Sequence, residues 1–136
     1  MPIEPQLADF AGRWAIDRRI DHANGTTARF SGEAVFRPNE SDGLDYVEEG
    51  ILTLPNAQTM RATRAYRWDA DLSVFFDDGR PFHQVPTDGG TAVHICTPDT
   101  YRATYDFEAW PHWQAVWVVT GPKKDYSMTS RYTPLS

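Results

Sequence analysis

The strand pattern of this chain is clearest in residues 12–37, which read GRWAIDRRIDHANGTTARFSGEAVFR. Alternate residues from Trp14 to Ile20 share one face of an extended chain, and all of them except Arg18 are apolar. Apolar residues recur at every second position again after Asn24-Gly25, a pair typical of a tight hairpin turn. A period of two indicates strands that bury one face. This stretch therefore predicts two antiparallel strands joined by a turn.

The same alternation continues to the end of the chain, with turn residues at the breaks. It predicts ten short strands, at residues 12–21, 26–37, 43–54, 58–68, 72–77, 80–86, 91–96, 100–108, 113–120 and 124–133. The one helix candidate, Pro5 to Phe10, is too short to stand alone and is expected to cap a barrel end. Sequential antiparallel strands without helical partners bury one face as a sandwich or a barrel, and closure also removes exposed edges. We therefore predict an all-β fold, a single antiparallel up-and-down barrel of about 8–10 strands with a short N-terminal helical turn.

The composition is that of an acidic globular protein. The 136 residues fit one domain, residues 1–136, with a hydrophobic content of 40% and a rich aromatic content of 13%. Thirteen basic against nineteen acidic residues leave a formal charge of −6, which argues against nucleic acid as a partner. Cys96 is the only cysteine, so an intrachain disulfide is excluded. Because the sequence shows neither a signal-peptide pattern nor a membrane-spanning apolar run, we expect a soluble, cytoplasmic protein without membrane contact.

Charged side chains fall on the inward face of three predicted strands. Arg18, Glu48 and Arg64 each stand among apolar neighbours of the same face. A buried charge without a partner costs several kcal/mol, so these groups must pair, be hydrated or meet a ligand. With Tyr46 and Tyr66 beside them, the two guanidinium groups can bind a carboxylate or phosphate of a partly apolar molecule. The other interpretation is an Arg-Glu-Arg network that fills the barrel without a ligand.

A second polar cluster is predicted in the later strands, which neighbour each other in sequence. Its members are His83, His94, Cys96, Asp99, Tyr101 and Tyr105. His83, His94 and Cys96 together could ligate zinc, or Cys96 and a histidine could act as nucleophile and base. The dense spacings typical of metal sites are absent, and free cysteines are usually buried. We therefore expect an inert buried thiol, a hydrogen-bonded core histidine at position 94, and neither a metal nor another cofactor.

Several short motifs resemble those of known proteins. Gly12-x-Trp14, which follows the helical turn, resembles the Gly-x-Trp opening of the lipocalins. Across nearly its whole length the chain resembles a family of small calycin-like domains of unknown function. The motifs that carry this resemblance are Phe30-x-Gly32-x-Ala34-x-Phe36, Tyr46-x-Glu48-x-Gly50, Arg64-x-Tyr66-x-Trp68, Asp78-Gly79-Arg80-x-Phe82-His83, His94-x-Cys96-x-x-Asp99-x-Tyr101 and Gly121-Pro122-Lys123-Lys124-Asp125-Tyr126. The resemblance implies a calycin-like (lipocalin-type) barrel with a shared cavity, and no established activity.

Three functions agree with these patterns. The leading hypothesis is a barrel that binds a small anionic or polar-headed organic ligand in its cavity. The residues expected to contact this ligand are Arg18, Tyr46, Glu48, Arg64, Tyr66, His83, His94, Tyr101 and Tyr105. An alternative is a small enzyme, an isomerase or hydrolase, that uses His83, His94 and Tyr101 as acid-base groups in the same cavity. A third is a protein-interaction domain, and an outward-facing Phe75 is also compatible with a homodimer.

Overall fold

The computed structural model describes residues 4–135 and consists almost entirely of β-strands. One helical turn, α1 (Leu7–Phe10), precedes the first strand. Ten strands follow in these residues: β1 (Gly12–His22), β2 (Thr27–Pro38), β3 (Leu44–Thr53), β4 (Thr59–Trp68), β5 (Ser73–Phe76), β6 (Pro81–Gln84), β7 (Thr91–Cys96), β8 (Asp99–Asp106), β9 (Trp113–Thr120) and β10 (Asp125–Leu135). The predicted helical turn and strands are confirmed, with boundaries shifted by a few residues. The ends of the predicted domain, residues 1–3 and 136, lie outside the described residues.

The strands described here form one antiparallel sheet that curls into a nearly closed barrel. Strands adjacent in sequence pair with each other, except β6 and β7, and β1 also pairs with β10. Ile16 of β1, for example, lies opposite Gly32 of β2 and Tyr132 of β10. Between residues 4 and 135 no backbone ladder joins β6 to β7, and this seam interrupts the barrel wall. The order confirms the predicted up-and-down barrel. No helix in this part of the chain is long and apolar enough to cross a membrane.

Aromatic side chains close the end of the barrel at which β1 begins. Phe10 of α1 is fully buried. Its ring centroid lies within 6 Å of those of Phe36, Trp68, Phe107, Trp110 and Trp113. The Trp14 indole donates a hydrogen bond from Nε1 to the Phe10 carbonyl oxygen at 2.8 Å, which ties α1 to β1. The helical turn therefore caps the barrel by burying one large side chain, a contribution of about 1.5–3 kcal/mol.

Two glycines allow β2 and β3 to approach each other closely. Gly32 and Gly50 lie opposite each other in the ladder. A Cβ atom on Gly32 would lie 2.7 Å from the Gly50 Cα, and closer still to the Glu49 carbonyl oxygen, so no side chain fits. At Gly50 a Cβ atom would meet the ring of Phe30 at 2.8 Å. Glycines at such positions let a sheet bend sharply enough to close a small barrel.

Candidate functional site

The inward side chains become more exposed to solvent along the barrel axis. On β4 the inward side chains run from Trp68, which is 4% exposed, through an exposed Arg64 to Met60, which is 52% exposed. Ile20 of β1 and Tyr126 of β10 are also only partly buried at the Met60 end. We call the end that contains Met60, Arg64 and Tyr126 the open end. Inward side chains therefore meet the solvent at this end.

A buried hydrogen-bonded network crosses the middle of the barrel. Arg18 donates from Nη1 and Nη2 to the two carboxylate oxygens of Glu48, at 2.5 and 2.9 Å. Its Nε donates to the Ser130 Oγ at 2.7 Å. The Tyr46 hydroxyl donates to the Glu48 Oε1 at 2.5 Å and lies 2.9 Å from the Tyr132 hydroxyl. Because Arg18 and Glu48 are 4% and 2% exposed, this pairing offsets the high desolvation cost of both charges.

The same contacts keep the buried pair ionised. Burial is the largest effect and acts to raise the pKa of Glu48, but the hydrogen bonds and positive charge of Arg18, together with the Tyr46 hydrogen bond and the charge of Arg64, outweigh it and the pKa is lowered. Burial is the largest effect and acts to lower the pKa of Arg18, but the hydrogen bonds to Glu48 together with the electrostatic interactions with Tyr132, Glu48 and Tyr46 outweigh it, so the pKa is raised. Burial raises the pKa of Tyr132 to about 12 and that of Tyr46 well above its usual range. The network is therefore an ion pair held among neutral hydroxyl groups.

The enclosed space beside this network is small. It measures about 20 Å³ and is lined by Arg18, Glu48, Tyr66, Tyr105 and Trp117 among others. One water molecule needs a volume of roughly 10–15 Å³, so an organic molecule does not fit there. The sequence left two interpretations of these charged groups open, a ligand cavity and an Arg-Glu-Arg network that fills the barrel. In the structure the paired Arg18 and Glu48 side chains and the aromatic rings fill the middle of the barrel, and Arg64 stays outside the pair.

Arg64 lies directly across the sheet from Glu48 but forms no ion pair within residues 4–135. Arg18 and Tyr46 already occupy the oxygens of the Glu48 carboxylate. The Arg64 side chain is exposed. Burial raises the pKa of Tyr66 and of Tyr126, and the positive charge of Arg64 opposes the rise in both. Arg64 is thus an inward cation at the open end with no carboxylate of its own among the described residues.

A second cation stands at the rim of the open end. The Lys124 amine lies 3.4 Å from the Asp99 carboxylate and donates to the Tyr101 hydroxyl at 3.1 Å. The hydrogen bond with Tyr101 is the main cause that raises the pKa of Lys124. Gly121 leaves room for this arrangement, because a Cβ atom there would overlap the Asp99 carboxylate. The two sequence motifs that contain Asp99-x-Tyr101 and Gly121 to Tyr126 therefore meet at the open end.

His83 lies at the seam between β6 and β7. Its Nε2 atom is 2.8 Å from the Tyr105 hydroxyl, and its Nδ1 atom is buried without a hydrogen-bond partner among the described residues. Burial and, second, the electrostatic interaction with His94 lower the pKa of His83 to about 4, so the ring is neutral at pH 7. A cleft of about 690 Å³ runs along the seam past His83 and carries the carboxylates of Asp71 and Asp88.

His94 and Cys96, the other two residues of the predicted zinc or nucleophile set, form no hydrogen bond with His83. The His94 ring is half-buried, 5.4 Å from the Phe82 ring and 6.0 Å from the Tyr101 ring, and forms no hydrogen bond with a described side chain. Cys96 is exposed, so the prediction of a buried thiol is wrong. It is the last residue of β7, where the wall ends. Residues 4–135 contain no group of three His, Cys, Asp or Glu side chains that could hold a metal ion.

The structure distributes the residues predicted to contact a ligand over three places. Arg18, Tyr46 and Glu48 form the buried network with Tyr66 beside it, His83 and Tyr105 pair at the seam, and Arg64, His94 and Tyr101 lie toward the open end. The prediction missed Tyr126 at the open end, and Ser130 and Tyr132 in the network. These three residues share one face of the last strand, and the period of two there is the signal that could have found them.

Comparison with known proteins supports the fold and identifies the family. No curated protein matches the chain. The structure of the S-type phycobiliprotein lyase CPES from Guillardia theta is similar, with a TM-score of 0.71 and 8% sequence identity over 96% of this chain and 90% of that chain. An identity this low shows a shared fold and no more. Residues 10–134 match the model of a family of unknown function, DUF6314. Because this match spans nearly the whole sequence, the chain belongs to the DUF6314 family.

Proposed function

We propose that the protein binds a small organic ligand with an anionic group at the open end of the barrel. The observation that carries this proposal is Arg64, an inward-facing cation that Glu48 leaves without an ion-pair partner in the described part of the chain. A guanidinium can donate two parallel hydrogen bonds to a carboxylate, sulfonate or phosphate. Arg64 lies between the filled middle of the barrel and the solvent, and this position suits contact with the anionic group of a ligand.

The electrostatics of the open end favour an anion even though the whole chain carries a net charge of −6. Arg64 and Lys124 supply two positive charges there, and Asp99 neutralises only one of them. The hydroxyl groups of Tyr101 and Tyr126 lie beside these cations and can donate hydrogen bonds. A local positive charge in an acidic protein attracts anionic ligands to one place.

The remaining lining of the open end suits an apolar body. Partly buried or exposed inward side chains offer this surface: Leu52, Met60, Ala62, Phe76 and Tyr101. Mostly apolar walls with a few polar groups are typical of small-molecule sites. The similar structure is that of a phycobiliprotein lyase, and a small-molecule site in a barrel of this fold agrees with that description without specifying a ligand. In this proposal Arg18, Tyr46 and Glu48 form the rigid polar floor beneath the ligand.

Fluorescence titration with two related probes tests the proposal. Anilinonaphthalene sulfonate is an apolar anion, and phenylnaphthylamine is its analogue without the sulfonate. We expect Arg64→Gln to weaken binding of the anionic probe about 10-fold or more and to leave binding of the neutral probe nearly unchanged. Arg102→Gln, which removes an exposed arginine on β8, is the matched control and should change neither affinity. Equal affinity of wild type and Arg64→Gln for the sulfonate would contradict the proposal.

A further inference from the structure

An apolar patch covers part of the outer surface of β2 and β3, away from the proposed ligand site. Val47 and Ile51 of β3 are 50% and 45% exposed, and a partly buried Val35 of β2 lies opposite Val47. Charged side chains stand around this patch and form a bowl of about 830 Å³: Glu33, Arg37, Asp45, Glu49 and Arg61. An exposed apolar patch with a polar rim is typical of a surface that contacts another protein.

The rim carries opposite charges on the two sides of Val35. Glu33 and Arg37 lie two residues before and two residues after Val35, so all three point outward from the same face of β2. Arg37 is exposed and forms no ion pair among the residues described. Glu33 pairs with Arg13 at the surface, with both side chains about half exposed, and such a pair is weak. Glu33 therefore remains open to a second cation.

We propose that this outer face binds a second copy of the chain around a two-fold axis that runs along Val35 and Val47. This axis crosses β2 at Val35 and so exchanges the positions of Glu33 and Arg37. Arg37 of each copy then faces Glu33 of the partner subunit. Val35 and Val47, which lie on the axis, each face the same residue of the partner subunit. One patch thus supplies both halves of the contact, as the closed symmetry of a homodimer requires.

The charges on β3 are compatible with the same axis. Asp45 and Glu49 flank Val47 as Arg37 and Glu33 flank Val35, so the axis brings Asp45 opposite Glu49 of the partner subunit. Arg61 pairs with Glu49 within each copy and supplies the cation between these carboxylates. The charges of this face are nearly balanced, in contrast to the net charge of −6 of the chain. A rim of mixed sign favours a second copy over a strongly acidic or basic partner.

Sedimentation equilibrium of the full chain tests the oligomeric state. We expect a concentration-dependent dimer at micromolar protein, and Val47→Lys should weaken dimerisation at least about 30-fold by placing a charge at the centre of the patch. Val118→Lys is the control, because Val118 is also exposed, at 38%, but lies on β9. A monomer at every concentration, or equal dissociation of both variants, would overturn the proposal. Circular dichroism of each variant verifies that it is folded.

Charge reversal tests the two-fold arrangement itself. Arg37→Glu alone and Glu33→Arg alone should each weaken the dimer about 10-fold, because like charges then face each other across the axis. The double variant restores opposite charges at both contacts and should dimerise nearly as well as wild type. A double variant as weak as the single variants would show that Arg37 does not face Glu33 of the partner subunit. None of these residues lies at the open end, so the outcome is independent of ligand binding.

Discussion

Glu48 is shared unequally between two arginines on the inward face of the barrel. The ladder places it opposite Arg64, yet its carboxylate oxygens bind Arg18 and the Tyr46 hydroxyl. Arg18 is buried in its pair with Glu48, whereas Arg64 is exposed to solvent at the open end. The two arginines therefore have different roles, Arg18 in holding the barrel and Arg64, in our proposal, in binding an anion.

Neighbouring substitutions on β1 separate these roles in stability measurements. Arg18→Gln removes the cation from a buried carboxylate, so we expect a loss of about 3–5 kcal/mol in the free energy of unfolding. Arg19→Gln makes the same change at the next residue, in a surface pair with Asp21 whose side chains are 54% and 42% exposed. We expect a loss of less than about 1 kcal/mol there. Urea unfolding of both variants measures the difference, and similar losses would contradict the structural role of Arg18.

His83 makes the stability depend on pH in a defined range. Its pKa is about 4 in the folded protein, where it is buried beside Tyr105, against 6.5 for an ordinary histidine. Between these values the unfolded chain binds more protons, so the free energy of unfolding falls as the pH is lowered from about 6.5 toward 4. Above pH 6.5 His83 is neutral in both states and the protein keeps its full stability. Protonation of this residue at lower pH reduces the free energy of unfolding by about 2–3 kcal/mol.

Denaturant unfolding at a series of pH values measures this dependence. His83→Gln should flatten the curve between about pH 6.5 and 4, and His112→Gln, at an exposed position, should leave it as in wild type. If the His83→Gln variant retains the full slope, the loss of stability at low pH has another origin.

At the scale of single elements, the bend between β2 and β3 depends on two glycines. A methyl group at Gly32 would collide with the backbone of Glu49 and Gly50, and backbone atoms cannot move away as a flexible side chain can. We expect Gly32→Ala to reduce the free energy of unfolding by about 2 kcal/mol or more. Ser31→Ala, at the exposed neighbouring position, should cost less than about 0.5 kcal/mol. A Gly32→Ala variant as stable as Ser31→Ala would rule out the close approach of the strands.

The elements were predictable from the sequence because a period of two is a local property. It places Trp14, Arg18 and Arg64 on inward faces without any knowledge of the rest of the molecule. The period of two does not indicate where a residue lies along the barrel axis, because that position depends on the register between strands. Arg64 was therefore assigned to the interior together with Arg18, although it is exposed. The expectation of a buried Cys96 came from the usual burial of free cysteines and was wrong, because this residue lies at the end of β7.

At the scale of the whole molecule, the barrel is closed by aromatic rings at one end, filled by an ion pair in its middle, and open at the other end. The seam between β6 and β7 and the bowl on the outer face of β2 and β3 are separate surfaces. Neither was predictable from strand alternation, because a seam depends on which two strands fail to pair and a bowl depends on long side chains from several strands. Our proposal therefore places ligand binding at the open end, apart from the seam and from the outer face that we propose as the dimer contact.

Chemical-shift mapping by nuclear magnetic resonance tests this location most directly. Isotope-labelled protein is titrated with anilinonaphthalene sulfonate while the backbone amide signals are recorded, with the Arg64→Gln variant measured in parallel. We predict that the largest shifts occur at the open end, at Ala62, Arg64, Tyr101 and Tyr126, and that they shrink in the variant. Shifts confined to the seam near His83 or to the outer face near Val47, or unchanged in Arg64→Gln, would contradict an anion site at the open end of the barrel.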